Sequence, residues 1–323
     1  MKKLPLLTVS GLFLSALTTG PAFAQARLGN EPGPCDRDCL TAMVDSYLTA
    51  LVAHDPAAVP FASNVRYVEN AEPMSPGQGL WETASAVPTT FKIYVPDPVA
   101  RQVGFIGVME SSGKPVQLGL RLELDDAGKI VEAEHLVVYN VRENNLANLR
   151  SPRPGLLATV PTAERLPREL MLVIGMTYYD SIEQSSGDAT VFADDCERHE
   201  NGMITAGGDG VGLDGLPRQG CHDQMDSRVF TYIDSIDLRR VSIADEVTGL
   251  VFGLSQFRQS MKEKQITVIG RDGKPAVREV SFDPFDLPAA HIFKIRGGKI
   301  HEVEAVGFMM PYMSRNGWSD FLR

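Results

Sequence analysis

Residues 45–70 read DSYLTALVAHDPAAVPFASNVRYVEN, and residues 176–201 read MTYYDSIEQSSGDATVFADDCERHEN. The two align without a gap at an offset of 131 and share six of 26 positions: Tyr47/Tyr178, Ala58/Ala189, Phe61/Phe192, Ala62/Ala193, Glu69/Glu200 and Asn70/Asn201. Chance would supply about one or two. A second match follows in the same order, GKIVEAE at 128–134 against GKIHEVE at 298–304. Two co-ordered matches predict a duplicated domain, so a functional site should be sought at corresponding positions of both copies.

Working outward, residues 39–54 carry Leu40, Met43, Val44, Tyr47, Leu48 and Leu51 at helical spacing. Asp55-Pro56 stops this helix, and residues 57–61 suit a short helical turn. From Val65 the period shortens, and strands are predicted at 91–95, 103–109, 116–124 and 129–138. Leu118, Leu120, Leu122 and Leu124 alternate with Gly119, Arg121 and Glu123, as a half-buried strand does. Asp125-Asp-Ala-Gly128 is a hairpin turn. The second copy repeats this order: a helix at 166–183, a turn at 189–192, and strands at 196–201, 239–244, 250–257, 291–295 and 299–308. Residues 202–221 and 262–288 are its extra loops. These patterns place domain 1 at 35–145, a linker at 146–165 and domain 2 at 166–323. A long helix followed by strands is an α+β layout, in which the helix covers one face of a curved sheet and leaves a cone.

The first 24 residues read as an export signal. Lys2 and Lys3 precede an apolar stretch, and Ala22-Phe23-Ala24 is a cleavage site, which predicts a periplasmic or secreted protein cut after Ala24. No stretch suits stable membrane insertion. The chain holds 31 basic and 41 acidic residues, a net charge of −10. Nucleic acid, which calls for a basic footprint, is not an expected partner. Four cysteines in an exported chain predict disulfides, paired in order as Cys35 with Cys39 and Cys196 with Cys221. The alternative is a zinc site of Cys196, Cys221 and His222, whose spacing fits no common pattern.

Helix, Asp, short helix, Phe-Ala-x-x, strand, then a hairpin closing on Gly-Lys-Ile-x-Glu resembles the NTF2-like superfamily, which includes ketosteroid isomerase and the SnoaL-type cyclases. The resemblance covers both copies. It implies two tandem cones, each a curved antiparallel sheet wrapped around its long N-terminal helix. The nearest local pattern is that of ketosteroid isomerase, where a helical tyrosine donates to a developing oxyanion and a carboxylate ending the first strand removes a proton. Tyr47 and Tyr178 occupy the first position here, Glu69 and Glu200 the second, with Glu in place of Asp.

A carboxylate in an apolar cone is pushed toward the working range of a base, and a pre-aimed hydroxyl stabilises an enolate without solvent reorganisation. Equally, Glu69-Asn70 and Glu200-Asn201 suit a turn where the strand leaves the core, and the tyrosines suit core packing. The second copy adds Arg198 and His199. Strand alternation puts Arg198 with Glu200 on one face and His199 with Asn201 on the other. Since the first copy has Tyr67 and Val68 there, domain 2 is the expected active copy. His135 is a further candidate for the cone. Asp97 and Asp245 read as turn residues, and Glu132, Glu134, Glu302 and Glu304 as charges on an outer sheet face. No metal or nucleotide motif is present in the sequence, so no cofactor is expected. The reading is an exported, cofactor-independent lyase, dehydratase or isomerase for a small, mostly apolar molecule. The alternative is a periplasmic binding protein for a hydrophobic ligand. Either would be a monomer whose copies stand in for a dimer, or a homo-oligomer.

Overall fold

The apolar stripe of residues 37–52 forms α1 (Arg37–Val52), which buries Leu40, Val44, Tyr47, Leu48 and Leu51. Asp36 caps it, accepting from the Cys39 N–H at 2.9 Å. The structure, a computed structural model, describes residues 35–211 and 216–318. The expected signal peptide lies outside the described residues. After a turn at Pro56–Ala58 come β1 (Phe61–Glu69), β2 (Glu72–Met74), α2 (Leu80–Thr83), β3 (Ala84–Ala86), β4 (Lys92–Asp97), β5 (Gln102–Ser111), β6 (Lys114–Leu124) and β7 (Ile130–Val138). The connection carries α3 (Pro154–Leu157). The second half has α4 (Arg168–Glu183), β8 (Phe192–Glu200), β9 (Met203–Ala206), α5 (Cys221–Asp226), β10 (Ser235–Asp245), β11 (Leu250–Gln259), β12 (Gln265–Ile269), β13 (Pro275–Glu279), β14 (Phe285–Arg296), β15 (Lys299–Gly307) and β16 (Met310–Pro311).

Two seven-stranded sheets have the same order. The first runs β2-β1-β7-β6-β5-β3 with β4 also on β5; the second runs β9-β8-β15-β14-β11-β10 with β16 on β14. The α+β layout of helix-wrapped sheets is therefore present in each half. One feature corrects the expectation of purely antiparallel sheets: β1 pairs parallel to β7, and β8 parallel to β15. Hairpins are read from local turns, whereas these strands meet across more than 60 residues of chain, so their direction leaves no local mark. The supposed loops also hold strands, β9 in the first and the β12–β13 hairpin in the second.

Each long helix, α1 and α4, packs on its own sheet with a separate apolar core. A third core lies between the sheets, where Ile93, Val95 and Ile106 meet Phe252, Leu254 and Ile292. Gly104 leaves the room that the Phe252 ring takes here, where a Cβ would clash with it. The four outer-face glutamates are thus largely covered rather than solvated. Glu134 accepts both Arg240 Nη atoms at 2.7 Å, and Trp318 lies under the guanidiniums of Arg66, Arg121 and Arg240 at 5.1–5.4 Å. Asp97 and Asp245 are buried as well, and do more than shape turns. Asp97 accepts from Arg168 Nε at 2.7 Å, and Asp245 is gripped by Arg37 through Nε and Nη2 at 2.8 and 2.6 Å.

Both disulfides form as expected, with Cα separations of 5.2 Å (Cys35 to Cys39) and 5.7 Å (Cys196 to Cys221), and they fit an oxidising compartment. The first spans the helix cap, with Cys35 outside the helix and Cys39 in its first turn. The second consumes the thiols that a zinc site would need, and His222 instead bonds Asp188 at 3.0 Å. Closing 25 residues of chain, the Cys196 bridge should contribute about 3.5 kcal/mol by chain entropy. Urea melts of Cys196→Ser/Cys221→Ser should show that loss; an unchanged midpoint would mean the α5 segment is held without the bridge.

No helix among the described residues is long and apolar enough to cross a membrane.

Candidate functional site

Parallel pairing of β1 with β7 places Glu69 opposite His135 and Tyr67 opposite Ala133. Alternation turns Tyr67, Glu69 and His135 to the face covered by α1, which lowers Tyr47 onto them. The Tyr47 hydroxyl stands 2.8 Å from His135 Nε2. His135 Nδ1 is 3.2 Å from Glu69 Oε2 and 3.1 Å from the Tyr67 hydroxyl, which itself donates to Glu69 Oε2 at 2.8 Å. Tyr139, just past β7, donates to Glu69 Oε1 at 3.0 Å. The Leu80 N–H at the start of α2 faces both carboxylate oxygens at 2.9–3.0 Å.

An ionised carboxylate only accepts, and Tyr67 spends its proton on Glu69, so the network assigns a proton to His135 Nδ1. Nε2, on the other side of the ring, shares a hydrogen bond with the Tyr47 hydroxyl. Burial alone would raise the Glu69 pKa. The His135 hydrogen bond and charge, the Leu80 N–H and the Tyr67 hydroxyl outweigh it and hold the group below its ordinary value. Burial pushes Tyr47 well above the ordinary tyrosine range, and Tyr67 and Tyr139 upward too.

Tyr47, Tyr67, His135 and Trp81 are all 0–1% exposed. Trp81 of α2 packs edge-on against Tyr47 at 5.4 Å and closes the cone. Gly79 makes that closure fit: its φ is +69°, and a Cβ there would lie 2.5 Å from Glu69 Oε1. Tyr139 alone of the cluster reaches solvent, 39% exposed, at a cleft of about 370 Å³ lined by Gly79, Thr83, Ser111, Lys114 and Val116.

The second cone is built differently. Arg198 Nε donates to the Tyr178 hydroxyl at 3.0 Å, and its Nη atoms reach Glu200 and Gln224 of α5. The guanidinium lies over the Tyr178 and Phe230 rings at 5.6 and 5.3 Å. Arg198 therefore stands between the expected base and the expected donor, with Glu200 half-exposed at the rim. Tyr178 is raised to about 12 by burial, against the pull of Arg198. His199 takes the opposite face, as alternation requires, and bonds Glu197 at 2.5 Å. Burial, then the charge of Arg153, lowers it to about 4. Asn70 and Asn201 are turn residues: each has φ +49°, and their side-chain amides bridge to the backbone of Val137 and Gly307.

Sequence reading missed Tyr139, Tyr179 and His291. In the first sheet Leu120 faces His135; in the second His291 faces Ala305, so the imidazole has changed strands. Its Nδ1 is 3.3 Å from the Tyr179 hydroxyl. Burial, helped by the charge of Arg198, lowers His291 to about 3. Between that value and about 6.5 the unfolded chain binds a proton that the folded chain does not. Stability is therefore unaffected by this group above about pH 6.5 and falls as the pH drops toward 3. Replacing His291 with leucine, the first-sheet counterpart, should flatten this acid limb of Tm against pH. A limb of unchanged slope would show that the ring titrates freely.

A family model described as a domain of unknown function (DUF8021) matches residues 164–307. No curated protein sequence matches the chain. Among solved structures, a candidate polyketide cyclase from Silicibacter sp. TM1040 is similar at 15% identity, over 49% of this chain and 96% of its own, with a TM-score of 0.27. A second candidate polyketide cyclase, from Xanthomonas campestris pv. campestris, gives 15% identity over 43% of this chain and 90% of its own, TM-score 0.29. An NTF2-like protein from Burkholderia thailandensis E264 gives 16% over 43% and 90%, TM-score 0.23.

Proposed function

We propose that this chain is an exported, cofactor-independent acid–base enzyme of tandem NTF2-like build, with copies at 35–145 and 166–323 and its active centre in the first cone. The observation that carries the reading is the Tyr47–His135–Glu69–Tyr139 chain of hydrogen bonds, buried at one end and open to a cleft at the other. A buried polar network is costly unless satisfied, and perturbed carboxylates held by specific partners concentrate at functional sites. The second cone fills the equivalent space with Arg198 and aromatic rings, so the network is not a requirement of the fold.

In this reading Glu69 is the base, ionised at neutral pH. Tyr139, swinging off Oε1 as the substrate enters, donates to the developing oxyanion. His135 and Tyr67 hold the carboxylate and balance the proton it receives, while Tyr47 positions His135. The suited chemistry is enolisation, dehydration or isomerisation of a small, mostly apolar aromatic or terpenoid-like molecule. A panel of apolar ketones, alcohols and lignin-type aromatics, read by mass spectrometry, tests it. Loss of water or an isomeric product should appear with wild-type protein and with Glu200→Gln, and vanish with Glu69→Gln. Turnover that instead depends on Glu200 would move the centre to the second cone. A ligand retained without turnover would make the protein a binding protein.

A further inference from the structure

The segment after β7 lies along the second sheet and encloses a separate cleft of about 640 Å³, lined on its apolar side by Pro154, Val160 and Pro161. Lys294 of β14 lines this cleft while only 4% exposed. It stands opposite Glu302 of β15, so amine and carboxyl share one face of the sheet. Its Nζ donates to the Ala158 carbonyl, and among the described residues it forms no ion pair. A buried ammonium without a paired carboxylate is unfavourable, and the amine responds by shedding its proton more readily. Lysines desolvated in this way serve as nucleophiles.

Around the amine stand Arg296 on its own strand, Glu302 and His301 on β15, and Asp245 at the end of β10. The connecting segment supplies Arg153 and Glu164, and β8 supplies Asp195 and Glu197. Burial dominates among these influences and lowers Lys294 to about 8; Glu302 is shifted up, also by burial. Gly155 of the segment lies against the Glu302 carboxylate. Arg153 is engaged by Glu197, Glu302 and Glu304, and His301 by Asp195 at 2.6 Å. With Arg153 and Arg296 already held by carboxylates, the cleft has no spare arginine for an anionic ligand and suits an uncharged one.

We propose that Lys294 is a Schiff-base-forming amine for a small uncharged aldehyde or ketone bound in this cleft. The neutral Nζ lone pair forms the N–C bond, the carbonyl π pair moves to oxygen, and that oxygen takes a proton from solvent. The Glu302 carboxylate removes a proton from nitrogen, then returns it to the hydroxyl. Water leaves as the nitrogen lone pair forms the iminium.

The test is reductive trapping of the mature protein with benzaldehyde and cyanoborohydride, followed by peptide mass spectrometry. At about pH 7.5 the benzyl adduct should form on Lys294 about tenfold faster than on surface lysines, whose ordinary pKa is about 10.4. The trapping rate at Lys294 should be half-maximal near pH 8. Glu302→Gln should slow labelling of Lys294 several-fold and leave Lys92, Lys114 and Lys299 unchanged. Label spread evenly over the surface lysines, with Lys294 no faster than they are, would overturn the proposal. An unchanged rate in Glu302→Gln would remove that residue from the mechanism.

Discussion

Asp97→Ala is expected to cost about 3–5 kcal/mol of folding stability, the range for a buried ion pair broken from one side. Asp97 is 1% exposed. Its Oδ2 accepts from Arg168 Nε at 2.7 Å and from the Ala244 N–H at 2.9 Å, while Oδ1 accepts from the Ala100 N–H at 3.0 Å. Alanine would leave a mostly buried guanidinium and two backbone donors without their acceptor. The reciprocal change Asp245→Ala should cost less, because the Arg37 side chain is 36% exposed and water can take over part of the pairing. Urea denaturation of the two variants checks both the size and the order. A loss under about 1 kcal/mol for Asp97→Ala would show that solvent already screens the pair. The two contacts are reciprocal: the arginine opening each long helix reaches the aspartate of the other half, as across a two-fold dimer interface.

Glu69→Gln should lower kcat/KM on the responsive substrate by about a hundredfold to ten-thousandfold, the usual worth of a positioned general base. Gln keeps the shape but cannot take the proton, and its amide N–H₂ would face the Leu80 N–H or the Tyr67 hydroxyl. Tyr47→Phe removes one hydrogen bond to His135, worth about 0.5–1.5 kcal/mol, so its effect should be tenfold or less. The pH profile separates positioning from general damage. With Glu69 held below the ordinary carboxylate value, activity should stay level down through the normal glutamate range and fall only beneath it. In His135→Gln, which loses the imidazole's hydrogen bond and charge, that acid limb should move to higher pH. A variant that is merely less stable would lose amplitude without moving the limb.

Much of the architecture is legible in residues alone. The stripe through Leu40, Val44, Tyr47 and Leu51 marks α1, Leu118 to Leu124 alternate through β6, and the cysteines pair in chain order. Each feature is encoded in a short window, where side-chain period or turn chemistry acts directly. The candidate site is legible only in part. Tyr47 and Glu69 sit at marked positions, but Tyr139 lies just past the last strand read in domain 1, where no period marks which way it points. Arg153, in the stretch that reads as linker, donates to the Glu197 and Val303 carbonyls of the second sheet.

The sequence by itself determined that this protein has two matched helix-and-strand units, which residues face each helix, and where the glutamates end their first strands. Tertiary structure alone decided that Tyr47 bonds a histidine 88 residues away, that Arg198 occupies the second cone, and that Arg168 crosses to Asp97. The reason is physical: periodicity along the chain sets which way a side chain points. Which partner it finds depends on strands brought together across long loops, and that information is shared among the many packed residues of the cores rather than written beside the residue itself.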